Sequence, residues 1–272
     1  MKKKFKLSEG LNDCTNEQYH GDKSYISSSG LKLLLKDPAL FYDEIILGKR
    51  ESKHIAAFDE GSYAHTLILE PHMVDQEYAF FPEWRKAGNL WTEFKEAEEN
   101  QGKIILSVPQ RKRVEGLIEA YGKRKCAVDL ISGGFPEYTV AGEVNGVKLK
   151  ARADYINIDK GYIADVKTTG YSSELETFSF TVDRFSYELS AALYAMMFER
   201  HFGKPFDFYF IVLSKKEKTC DVFKASEETM ERGKMMVYEA LSTYQKCLKA
   251  GVWGEIAKKP SVSDDEYEIE EI

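Results

Sequence analysis

The stretch Ala151-Arg-Ala-Asp-Tyr-Ile-Asn-Ile-Asp-Lys-Gly-Tyr-Ile-Ala-Asp-Val-Lys-Thr-Thr169 decides how this chain is read. The run from Val147 to Asp154 alternates as a strand does, and Asn145-Gly146 ahead of it is a strong hairpin-turn signal. Asp159-Lys160-Gly161 turns the chain again into Tyr162-Ile-Ala-Asp-Val-Lys167. The three strands form a meander with Asp154 and Asp165 on neighbours. Residues two apart in a strand share a face, so Asp165 and Lys167 point the same way. Clustered carboxylates repel unless a cation sits between them, and hard oxygen ligands suit Mg²⁺ or Mn²⁺. A lysine beside such a cation can orient or deprotonate water, or neutralise charge developing on phosphate. Those are the parts of metal-dependent phosphodiester hydrolysis. A lone D-x-K is common on exposed strands, so the rest of the chain must carry the case.

The 272 residues suffice for one sizeable core, and 43% hydrophobic content with 16 Tyr and 16 Phe describes a folded globule. No apolar run approaches membrane-spanning length, and the lysine-rich start lacks an apolar signal core, so a cytoplasmic protein is expected. Cysteines 14, 126, 220 and 247 lack metal-binding spacing and read as free thiols. The net charge of −7 is mild evidence against DNA binding, but six acidic residues sit in 264–271. Lys148, Lys150 and Arg152 crowd the approach to Asp154 and form the basic cluster of interest.

Residues 1–24 read as irregular. Helices are expected over 27–36, 38–47 (closed by Gly48), 56–69, 110–130, 185–201 and 226–249. A short helix is expected near 90–97, and strands over 137–144, 147–157, 162–168, 206–214 and 219–224. This gives one α/β domain over 1–262, a central mixed sheet flanked by helices, with an acidic, poorly ordered tail at 263–272.

Several motifs together resemble the PD-(D/E)XK nuclease superfamily, and within it the RecE-type (exodeoxyribonuclease eight-like) branch of phage and prophage exonucleases. They are Ser27-x-Ser29, Asp37-Pro38-Ala39, Gly61-x-x-x-His65 with Leu69-Glu70-Pro71, Arg85 through Phe94, Lys150-x-Arg152-x-Asp154, and Asp165-Val-Lys-Thr-Thr169. The resemblance implies a restriction-endonuclease-like core. It implies Asp154, Asp165, His65 and the Val166 carbonyl as ligands of Mg²⁺, with Mn²⁺ an alternative. Glu137 and Glu143 flank the hairpin; Glu137 is the further candidate for that shell, and Glu143, beside the Asn-Gly turn, reads as solvated. Lys167 would activate or position the attacking water. Arg152, Thr168, Arg85, Lys86, Ser190 and Tyr194 are implied DNA contacts. Ser190 stands where relatives often carry Gln, and Tyr187 and Tyr194 equally fit an aromatic packing stripe. The implied activity, in a bacterial host cell, is 5′→3′ digestion of one strand of linear double-stranded DNA, leaving 3′ tails for a single-strand annealing partner. The implied assembly is a homo-oligomeric ring, a tetramer before a trimer. An endonuclease on the same fold and a non-catalytic DNA-binding or assembly protein remain open alternatives.

Overall fold

A computed structural model describes residues 5–49 and 56–254. In chain order the elements are β1 (Gly10–Asn12), α1 (Asn16–Gly21), α2 (Ser28–Lys36), α3 (Pro38–Phe41, continued to Ile46 by a π-helical turn), α4 (Ala56–Leu69), α5 (Val74–Glu77), β2 (Tyr78–Phe81), α6 (Gly88–Glu96), β3 (Ile104–Ser107), α7 (Val108–Lys123), α8 (Lys125–Leu130), β4 (Phe135–Val144), β5 (Val147–Asn157), β6 (Tyr162–Thr169), α9 (Leu175–Phe185), α10 (Tyr187–Phe202), β7 (Asp207–Ser214), β8 (Thr219–Lys224) and α11 (Glu227–Ala250). Six strands form one mixed sheet in the order β1-β4-β5-β6-β7-β8, parallel only between β6 and β7; β2 and β3 form a separate parallel pair.

The sheet lies between two helical layers. On one face Ile163, Phe208, Phe210 and Val212 share a core with Leu31 and Leu34 of α2, Leu189 and Leu193 of α10, and Val237 and Leu241 of α11. On the other, Ala164, Val166, Ile211 and Leu213 pack on Ile68 and Leu69 of α4, Leu117 of α7 and Ala127 of α8. The strict alternation along β6 and β7 reflects the two-residue period of a strand buried on both sides.

The meander forms as the sequence dictates. Asn145 and Gly146 have φ of 50° and 76°, the two positive values a tight hairpin turn needs, and Val144 pairs with Val147. The N-terminal segment departs from expectation, since it supplies β1 to the sheet edge and the helix α1. The helix expected over 110–130 starts at Val108 and breaks at Arg124, and α9 was not foreseen. The acidic tail and Lys2–Lys4 lie outside the described residues. No helix among the described residues is long and apolar enough to cross a membrane.

Candidate active site

The β4–β5 and β5–β6 pairings line up three carboxylates. On β4, Pro136 pairs with Tyr155 and Tyr138 with Ala153, so Glu137 stands opposite Asp154. The β5–β6 ladder ends at Tyr155↔Ala164, and the next residues along are Asp154 and Asp165. Glu137, Asp154 and Asp165 therefore form one row across three strands. Like charges directly opposite one another destabilise a sheet. Glu137 also has φ +48°, a left-handed conformation that costs on the order of 1–3 kcal/mol in a non-glycine residue.

His65 reaches this row from α4. Gly61, one turn earlier, lets α4 approach β6 closely: a Cβ there would sit 3.2 Å from Thr168 Oγ1. His65 Nδ1 lies 3.5 Å from Asp154 Oδ2. Ligand atoms of His65, Glu137 and Asp154 all fall within 4.8 Å of one another. Asp165, buried, stands beside that trio and ion-pairs through Oδ2 with Lys167 Nζ. Val166 enters through its amide, which donates to Asp154 Oδ2 at 2.8 Å.

Electrostatics follow from this crowding. Burial, then the Asp154 charge, push the Glu137 carboxyl up to about 8, against the pull of Arg152. Burial raises Asp165 as well, Lys167 opposing and Asp154 adding to it. Burial works against charge on Lys167, yet Asp165 and Asp154 hold its pKa above the ordinary lysine value. It is thus an ammonium at neutral pH. Tyr194 is raised by burial first and by Asp165 next, so its phenol stays protonated; its Oη is 3.4 Å from Ser28 Oγ. One imidazole and a row of desolvated carboxylates suit a divalent cation: the oxygens fit Mg²⁺ or Mn²⁺, and the imidazole favours Mn²⁺.

Two of the basic residues expected at a DNA surface serve the fold instead. Arg152, 7% exposed, donates from Nε to Thr139 Oγ1 at 2.8 Å and from Nη2 to the Cys14 carbonyl at 2.7 Å. Its Nη1 lies 3.6 Å from Glu137 Oε2. Lys150, 4% exposed, donates to the carbonyls of Tyr19 and Asp22. The N-terminal segment covers this face of β5, so neither charge is available to DNA. Lys148 is exposed, opposite Glu143, which is solvated as expected.

The Trp84–Phe94 region packs elsewhere. Lys86 donates to the Ile105 carbonyl and lies 5.7 Å from the Trp91 ring; Trp84 is exposed beneath Lys112 of α7. Among the described residues, no hydrogen bond, ion pair or ring contact links this region to the carboxylate row. Arg85 is exposed, and Ser190 is half-buried on α10 one turn before Tyr194. Sequence reasoning missed Lys32 of α2, whose Nζ is 5.2 Å from the centre of the Tyr187 ring, the ring that Lys167 Nζ also approaches to 5.2 Å.

Glu137 gives a pH prediction. A carboxyl raised from 4.5 to about 8 contributes stability that is full below the lower value and is lost as pH rises through the upper one. Metal-free Glu137→Gln is therefore expected to melt above wild type at pH 8, with the gap closing towards pH 4. Mg²⁺ is expected to raise the melting temperature of wild type more than that of the variant. Equal melting curves for the two proteins at pH 8, with and without Mg²⁺, would remove Glu137 from the cation site.

The family described as PDDEXK-like domain of unknown function (DUF3799) matches residues 27–262. Among curated proteins, none matches the sequence. A crystal structure from Eubacterium rectale, described as a "putative exonuclease", is similar over 86% of this chain and 88% of that one, with TM-score 0.62 and 17% identity. At that identity the likeness is one of fold. The structure named SSO0001 reaches TM-score 0.30 at 14% identity, over 65% of this chain and 85% of that one, and carries no argument.

Proposed function

The chain belongs to the PDDEXK-like family, and from that premise we propose that it is a metal-dependent deoxyribonuclease acting on the ends of linear duplex DNA. The observation that carries this reading is the Glu137–Asp154–Asp165 row with the Lys167 ammonium ion-paired at its end. Glu137, Asp154, Asp165 and His65 would hold the cation, which supplies Lewis-acid polarisation of the phosphate and a lowered pKa for water. Lys167 holds a fixed positive charge where negative charge develops on the phosphate oxygens. Val166 keeps one Asp154 oxygen oriented through its amide, and the protonated Tyr194 hydroxyl offers a donor beside the carboxylates. In the reaction a water oxygen bonds to phosphorus, the bond to the leaving sugar oxygen breaks, and the proton lost by water is balanced by one gained at the leaving oxygen.

The finer reading is 5′→3′ digestion that leaves 3′ tails for an annealing partner, by a ring of identical subunits. Its support is the resemblance of the sequence motifs to the RecE-type branch. The test is a linear duplex labelled at one 5′ end, beside a covalently closed circle, each with Mg²⁺. Early release of the 5′ label as mononucleotide, with the circle intact, is expected. A nicked or linearised circle would make the protein an endonuclease. Retained 5′ label with loss of the 3′ end would reverse the polarity.

A further inference from the structure

Lys32 occupies a costly position. It sits on α2 one turn after Ser28, which contacts Tyr194, so residue 32 lies on the helix face turned towards the site. Its ammonium and that of Lys167 both lie 5.2 Å from the Tyr187 ring centre, so no more than twice that distance separates them. Lys167 is neutralised by Asp165. Lys32 is half-buried and has no carboxylate within ion-pairing distance among the described residues. Burial, and next the Lys167 charge, pull its pKa down to about 8, with Asp165 and Glu188 resisting. A cation–π contact offsets only part of such a cost. A Met or Leu would fill the same volume without desolvating a charge. The arrangement makes sense when an anion enters between α2 and β6.

We propose that Lys32 is a second cationic contact for the DNA phosphate at this site, reaching from α2 to the strand that Lys167 engages from β6. This rests on the nuclease reading for the identity of the anion, a phosphodiester. Lys32 binds as a compact point charge, and the Tyr187 ring centre lies 5.2 Å from its ammonium and from that of Lys167.

The test titrates a short linear duplex against wild type, Lys32→Met and Lys32→Arg in Ca²⁺, over roughly 50–200 mM salt, and follows Mg²⁺-dependent digestion of the same duplex. Loss of one phosphate contact is expected to flatten the log–log salt dependence of binding by about 0.9 in Lys32→Met and to weaken affinity on the order of tenfold, while Lys32→Arg restores most of both. The melting temperature of Lys32→Met should hold or rise. An unchanged salt slope with affinity within about twofold of wild type would overturn the assignment. So would a fall in melting temperature with normal binding per folded molecule, which is the outcome of a packing role. Wild type that binds with the expected slope difference yet does not digest DNA removes the nuclease reading and keeps Lys32. Wild type that digests DNA while the two salt slopes coincide does the reverse. Wild type that neither binds nor digests overturns both.

Discussion

Lys167→Ala is expected to lower Mg²⁺-dependent DNA digestion by about 10³-fold, the scale on which removing one preorganised charge-stabilising donor acts. Stability should fall with it. Asp165 is 4% exposed and Lys167 is its ion-pair partner, so the truncation leaves a buried carboxylate uncompensated. Activity must therefore be expressed per folded molecule. The double variant Asp165→Asn/Lys167→Met replaces both charges with neutral groups of similar size. It is expected to recover the melting temperature lost in Lys167→Ala while remaining inactive. Recovery of digestion along with stability would show that Lys167 acts only through folding.

Gly233→Ala carries the largest expected effect on the fold. Gly233 lies on α11 where that helix crosses α10. A Cβ built there would sit 2.1 Å from the Glu188 carbonyl oxygen and 2.8 Å from Ala192 Cβ. The obstacle is backbone, which cannot rotate away as a side chain would. Alanine raises helix propensity by about 1 kcal/mol, but the overlap forces α11 off α10 at about 3 kcal/mol or more. A drop in melting temperature on the order of 10 °C is expected for a domain of this size. Because α10 carries Tyr187 and Tyr194, digestion at temperatures well below melting should also fall. An unchanged or higher melting temperature would mean that the two helices do not meet at Gly233.

Much of the carboxylate row was legible in the sequence because tight turns propagate register. With Asn145-Gly146 as a two-residue turn, Val144 must face Val147, and counting outward brings Glu137 opposite Asp154. The turn after Asn157 likewise sets Asp154 beside Asp165. His65 was found through its spacing from Gly61 and the family resemblance rather than through chemistry visible in the helix. The roles of Lys150 and Arg152 were not legible. Their alternation along β5 describes a solvent-facing strand, and the segment that covers them, residues 5–26, has too little periodicity of its own to announce itself. Helix α9 escaped because Phe178, Phe180 and Val182 alternate like a strand; Phe180 is 72% exposed, so the pattern is broken by an apolar residue left in solvent. β1, β2 and β3, three or four residues each, carry too short a pattern to identify and are fixed by partners distant in sequence. Lys32 reads in sequence as one more lysine on an amphipathic helix, and only the fold brings Tyr187 beneath it.

The most direct test of metal-dependent hydrolysis is a time course of linear duplex DNA incubated with the wild-type protein in Mg²⁺, in Mn²⁺ and in excess chelator, followed by release of acid-soluble nucleotide. Progressive release is expected in either metal, and none in chelator until Mg²⁺ is restored. Folded wild-type protein that releases no nucleotide in either metal, or that releases it equally in chelator, would contradict metal-dependent hydrolysis.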